Sequence, residues 1–423
     1  MSLFAELKRR NVIRAATAYV VSAWVIVQVA ETIFPFFGFS DTAIRNVIIL
    51  LAIGFIPAIV LASVLQFTPE GLRRDTGEFG QLTPKTRKRR WPLVAGALVL
   101  LSAAVYTFKS FTMPIFAQGS ITDLFELEIN GDVQYLLVRG VDSKQPVMLF
   151  VHGGPGMPAM FLAHEFQRDL EKEFVVVHWD QRASGKSFKG TADQEQLSTS
   201  LLLGDMDVVV DYLRGSLDAD RLWIVGHSHG SYLGALYTRR HPEKVCAFVG
   251  TGQVADESGS GRTRTVQEEF LRRRLEELGL DSDTVIDDSN LEELLFLTGS
   301  ELYGETSFSP LLMSGLMATE YSLFDALNVA SGSSFSSRSM VYDMPRDLLT
   351  SEWQFDVPVA MIMGRQDLVT PTQLSREYYE RIEAPTKAWF VFEETSHFPH
   401  FEQPLKFTKT LAELKSRWRD CPD

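Results

Sequence analysis

The chain has 423 residues, 45% of them hydrophobic and 22% charged, which excludes a disordered or collagen-like polymer and leaves room for one large domain plus a smaller appendage. Its net charge of −13 is unevenly spread: residues 1–118 carry 13 Lys and Arg against 6 Asp and Glu, and the remainder carries 28 against 48. The acidic larger part would repel a phosphate backbone, which argues against a nucleic-acid partner. Two cysteines, Cys246 and Cys421, are too few for a disulfide framework, and no Cys/His cluster implies a metal.

In chain order, the first features are three apolar runs at 15–36, 47–65 and 91–108, holding a single charge between them, Glu31. Each is long enough to cross about 30 Å of hydrocarbon at roughly 1.5 Å per residue. Buried core helices are the alternative, but three such runs precede any complete soluble fold. A cleaved signal peptide is disfavoured because two further runs follow the first. Basic loops are retained in the cytoplasm. Lys8, Arg9, Arg10 and Arg14 precede the first run, and Arg73, Arg74 and the basic stretch 85–90 follow the second. That stretch could also contact anionic lipid or nucleic acid, although its place beside a span reads better as a topology signal. Three crossings then put everything after Phe108 outside.

Residues 2–11 (SLFAELKRRN) and 68–72 (TPEGL) resemble the membrane anchor that precedes varied domains in proteobacterial proteins. The resemblance implies a multi-pass inner-membrane protein with a periplasmic domain. The expected layout is an anchor over 1–110, a linker over 111–120 and a large domain over 121–423.

Beyond the linker, short Val-, Ile- and Phe-rich runs predict strands at 125–129, 134–138, 147–151, 174–178, 222–225, 245–249, 359–363 and 388–392. Most lack alternation, as strands covered on both faces should. Helix-sized segments at 201–213, 231–240, 371–382 and 405–418 separate them. This alternation predicts an α/β class with a mostly parallel sheet. Residues 256–349 show no clear strand pattern and read as a helical cap over the carboxyl edge, where open α/β sheets bind ligands.

Gly226-His227-Ser228-His229-Gly230 follows one predicted strand and opens a helix, the context that a nucleophile elbow requires. A serine hydroxyl needs an imidazole to take its proton and a carboxylate to hold the tautomer. The expected chain order is Ser, acid, His. Asp367 lies just past the strand at 359–363 and His397 just past that at 388–392, so both emerge at the sheet edge that carries Ser228. His400 is a rival base, and Asp343 or Asp356 a rival acid. For the oxyanion, the backbone N–H of His229 is one expected donor. The second is expected from Gly154 in His152-Gly153-Gly154-Pro155-Gly156, after the strand at 147–151.

In order and spacing, residues 152–156 (HGGPG), 180–187 (DQRASGKS), 226–231 (GHSHGS), 364–367 (GRQD) and 397–404 (HFPHFEQP) resemble the motifs of the proline iminopeptidase family. The resemblance spans about 120–420. It implies an α/β-hydrolase fold with a helical cap, a triad of Ser228, Asp367 and His397, no cofactor, and cap carboxylates that bind a substrate's free amino terminus. Asp180 and Arg182 fall in a motif read as bracing loops near the site. The family commonly has Trp where His229 stands and Gly where Ala183 stands.

The cap stretch 256–349 carries 18 Asp and Glu against 7 Arg and no Lys. Such a field could attract a cationic substrate. The pairs Glu268-Glu269, Glu276-Glu277 and Glu292-Glu293 read as solvated helix faces. Glu301, Glu305 and Glu320 lie among apolar and aromatic residues and are the amine-binding candidates. Packing is the expected role for Cys246; an oxidising compartment would permit its pairing with Cys421, but the spacing does not demand it.

The combined expectation is a membrane-anchored serine hydrolase that removes amino-terminal residues from small peptides. An esterase or amidase acting on small acyl substrates is the alternative, and a non-catalytic sensor or interaction protein is a third reading from a different class.

Overall fold

A computed structural model describes residues 12–33, parts of 47–58, residues 65–68 and 71–74, and residues 110–418 apart from 191–196, 257–260, 288–289 and 351–352. It divides into two compact units, Met1–Pro114 with Ser322–Phe324, and Ile115–Tyr321 with Asp325–Asp423.

In the first unit, helix α1 (Val12–Ile33) covers most of the first expected span. The Tyr19 hydroxyl donates to the Leu51 carbonyl at 2.7 Å. Strands β1 (Leu65–Thr68) and β2 (Gly71–Arg74) form an antiparallel pair. Among the described residues no helix is long and apolar enough to cross a membrane. Much of the expected span at 47–65, and all of that at 91–108, lies outside the described residues.

The second unit is built on β3 (Ile121–Ile129), β4 (Asp132–Gly140), β5 (Val147–Val151), β6 (Val175–Asp180), β7 (Leu222–His227), β8 (Val245–Thr251), β9 (Val359–Gly364) and β10 (Lys387–Phe392). Among the described residues they form one sheet in the order β10-β9-β8-β7-β5-β6-β4-β3. Only β4 runs against its neighbours; the pairs from β6 through β10 are parallel. The eight predicted strands all form, and each observed strand overlaps its expected range.

The unbroken apolar text of the central strands has a packing cause. In β5, Val147, Leu149 and Val151 enter one core cluster, whereas Met148 and Phe150 enter another on the opposite face. In β7, Leu222 and Ile224 divide from Trp223 and Val225 in the same way. Side chains alternate across a strand, so a sheet covered on both faces needs apolar residues at every position.

Helix α2 (Thr199–Ser216) covers the first face with Leu202, Met206, Val209, Val210 and Leu213, a spacing that places them on one stripe. It starts where Ser198 Oγ accepts the Leu201 N–H at 3.1 Å. Helices α3 (His229–Arg240) and α8 (Thr372–Arg381) contribute to this face, and α9 (Pro404–Arg417) covers the other with Phe407, Leu411 and Leu414. Between β8 and β9 lie α4 (Gly261–Glu277), α5 (Leu291–Leu297), α6 (Ser309–Met317) and α7 (Leu323–Ser339), termed the cap below.

Cys246 on β8 is buried within a core cluster, in line with the packing role expected for it. The sequence contains one other cysteine, Cys421, which lies outside the described residues.

Candidate active site

Ser228 sits between the end of β7 and the start of α3 with φ +52° and ψ −127°, a left-handed conformation that ordinary residues avoid. The flanking glycines make the turn feasible. A Cβ on Gly226 would lie 2.3 Å from the Gly230 carbonyl oxygen, and one on Gly230 would lie 2.1 Å from the Val151 carbonyl oxygen. Strand, turn and helix can approach this closely only without those side chains.

His397 and Asp367 arrive from the loops after β10 and β9. The Nδ1–H of His397 donates to Asp367 Oδ2 at 3.0 Å, and both side chains are buried. Asp367 also accepts from Thr370, from its N–H at 2.9 Å and its hydroxyl at 2.8 Å. Burial works against a charged His397 imidazole, but the adjacent carboxylate overrides it and raises the pKa above the ordinary imidazole value. A glycine is needed beside it as well: a Cβ on Gly252, at φ +52°, would lie 3.1 Å from the His397 ring.

The backbone of this loop is held on several sides. Glu402 accepts the N–H groups of Ser396 at 3.0 Å and Phe398 at 3.1 Å, and burial pushes its pKa up to about 7. The cap grips the same region: Ser396 Oγ donates to the Gly299 carbonyl at 2.6 Å, and the His397 N–H donates to the Glu301 carbonyl at 3.0 Å. The sequence reading assigned Glu402 no role, although it lies within the motif 397–404.

Ser228 and His397 line one cavity of about 610 Å³. Gly153 and Gly154 form part of its wall, and cap residues Phe308, Leu312, Ala326 and Val329 supply apolar surface. The N–H of His229 belongs to the first residue of α3, where helix N–H groups lack intrahelical acceptors. The His229 ring instead packs against Tyr232 and Tyr342, at 5.7 and 5.9 Å between centroids, and burial pushes its pKa down to about 3. It is not among the cavity-lining residues.

Of the three carboxylates singled out in the cap, only Glu301 lines the cavity. Burial pushes its pKa up to about 7, against the opposing pull of His397. Glu305 is exposed; Glu320 is buried, accepts from the Thr319 hydroxyl at 3.2 Å and lies outside the cavity lining. Glu292 also lines the cavity while staying exposed, as Glu293 does, in keeping with the solvated face expected for the pair. No sequence spacing distinguishes these residues, because the fold of the whole cap decides which of them face inward.

Of the rival assignments, only His400 lines the cavity. His400 packs its ring 5.1 Å from Phe150 and 4.8 Å from Phe166, and burial drives its pKa down to about 3. Asp343 accepts the Ser200 N–H at 3.0 Å near the start of α2, and Asp356 is exposed. Asp180 accepts hydrogen bonds from the Lys186 N–H at 2.9 Å and from the cap residue Tyr321. Lys186 reaches the cap residue Asp325 at 2.8 Å, so the motif 180–187 joins the sheet edge to the cap.

A family model described as alpha/beta hydrolase fold matches residues 146–404, which include the elbow, both partner loops and the cap. The chain belongs to the α/β-hydrolase family. It is a hydrolase enzyme, similar to proteins named aminopeptidase and proline iminopeptidase. A probable aminopeptidase, YbaC, of Bacillus subtilis (strain 168) is 30% identical over 305 residues, covering 69% of this chain and 96% of the relative. A proline iminopeptidase of Heyndrickxia coagulans is 24% identical over 276 residues, covering 63% and 89%. The solved proline iminopeptidase of Mycobacterium smegmatis superposes with a TM-score of 0.51 at 19% identity, covering 70% of this chain and 98% of that one, a likeness of fold.

Proposed function

We propose that this protein is a membrane-anchored serine aminopeptidase acting on small peptides with a free amino terminus. The observation that carries this reading is the shared cavity in which Ser228, His397 and the half-buried Glu301 all take part, with Asp367 hydrogen-bonded behind His397. His397 Nε2 takes the Ser228 proton as Oγ attacks the scissile carbonyl, and Asp367 holds the Nδ1–H tautomer. The N–H groups of His229 and Gly154 receive the oxyanion. His397 then protonates the leaving amine, and water releases the acyl group from Ser228 by the same route. Glu301, with Glu292 near it, pairs with the substrate ammonium.

The test compares an aminoacyl-naphthylamide with p-nitrophenyl acetate. Turnover of the ester alone would defeat the aminopeptidase reading and favour the esterase. Glu301→Gln is expected to raise KM for the free-amine substrate by roughly tenfold, the scale of a lost charge-assisted hydrogen bond, and to leave ester KM unchanged. Because burial lifts Glu301 to about 7, its anionic form declines as pH falls through that value. KM for the free-amine substrate should therefore rise below pH 7 in the parent and lose that dependence in Glu301→Gln.

The anchor and outward orientation rest on the three apolar runs and the basic loops beside them. A carboxyl-terminal alkaline phosphatase fusion should be active; an inactive fusion beside an active cytoplasmic reporter would reverse the orientation.

A further inference from the structure

His227 lies between the proposed nucleophile and base, and the sequence reading gave it no role. It is the last residue of β7, next to Ser228, and is 6% exposed. Its Nε2 lies 2.8 Å from the backbone carbonyl of His397. A carbonyl only accepts, so Nε2 carries the proton and donates it. The ring is held 4.8 Å from the His397 ring, 4.9 Å from Phe398 and 4.6 Å from His400, between centroids.

We propose that His227 is a positioning residue that sets the separation between Ser228 and His397. The assignment rests on the reading of those two residues as nucleophile and base. β7 lies between β5 and β8 inside the sheet, so the frame that carries Ser228 is fixed by hydrogen bonds on both sides. His397 sits on a loop, and its other backbone restraint, from its N–H to the Glu301 carbonyl, belongs to the cap. The bond from His227 instead ties the base to the nucleophile's own strand. Without it, the loop remains fastened to the cap and to Glu402, but its reach to Ser228 is no longer set. A misplacement of about 1 Å between reacting groups can cost about 10²-fold in rate.

The experiment compares His227→Phe, which keeps a ring but removes the donor, with His227→Asn, which keeps a donor on a shorter side chain. The full chain is used, and thermal melting establishes that each variant is folded; His227→Leu replaces the Phe variant if that one does not fold. Turnover of the aminoacyl-naphthylamide and the rate of fluorophosphonate labelling are read together. The Phe variant should lose about 10²-fold in kcat, keep KM within about threefold, and label correspondingly slowly, and Asn should restore about tenfold. Phe and Asn variants with equal losses, or a folded Phe variant with kcat within about twofold of the parent, would overturn the assignment. An unlabelled parent chain would instead remove the nucleophile reading and this proposal with it.

Discussion

Replacing Ser228 with Ala is expected to lower kcat by about 10⁶-fold, the scale seen when a serine nucleophile is lost from a triad. Labelling by a fluorophosphonate should disappear with it. In the proposed mechanism His397 then has no bound hydroxyl to activate, and only slow attack by water remains. Melting temperature should be nearly unchanged, because the lost hydroxyl lies on a cavity wall rather than within a packed core. Undiminished labelling of the Ala variant would place the reactive nucleophile elsewhere and remove the proposed mechanism.

The second large effect concerns stability. Arg182→Ala should destabilise the hydrolase unit by about 3–5 kcal/mol, the cost of removing one member of a buried ion pair. The Arg182 guanidinium donates to both oxygens of Asp205, at 2.8 and 3.0 Å, and to the carbonyl of Ile129 at 3.2 Å. Asp205 is 0% exposed and also accepts from Asn130 at 2.9 Å and Gln134 at 2.8 Å. The network thus joins the turn between β3 and β4, the end of β6 and helix α2. Truncating Arg182 leaves a buried carboxylate with neutral donors only. A fall in melting temperature of roughly 10 °C is expected, read by circular dichroism. A change below about 2 °C would show that the network is not a main support of this edge.

The sequence reading was strongest where one physical rule acts on neighbouring residues. Strands such as Val147–Val151 announce themselves because burial on both faces requires consecutive apolar side chains. The elbow is legible because its backbone geometry excludes side chains at Gly226 and Gly230. Asp367 and His397, which the structure joins by a hydrogen bond, were picked out from chain order and from their places after strands, since a parallel sheet gathers its carboxyl ends along one edge. Glu292 and Glu301 could not be separated from their acidic neighbours, because the direction of a cap side chain depends on several helices at once. The expected spans at 47–65 and 91–108 remain a matter of apolar length and loop charge, lying wholly or largely outside the described residues.

The amino-acid sequence by itself determined the α/β alternation, the serine elbow and the order of its partners, all of them consequences of local burial and backbone sterics. Tertiary structure alone decided that Asp367 rather than Asp343 or Asp356 meets His397, and that Glu301 reaches the cavity while Glu305 and Glu320 do not. It also revealed His227 bonded to the His397 carbonyl across 170 positions of sequence, a contact between groups of no mutual periodicity. Such contacts follow from how the loops close over the sheet, and no local pattern encodes that closure.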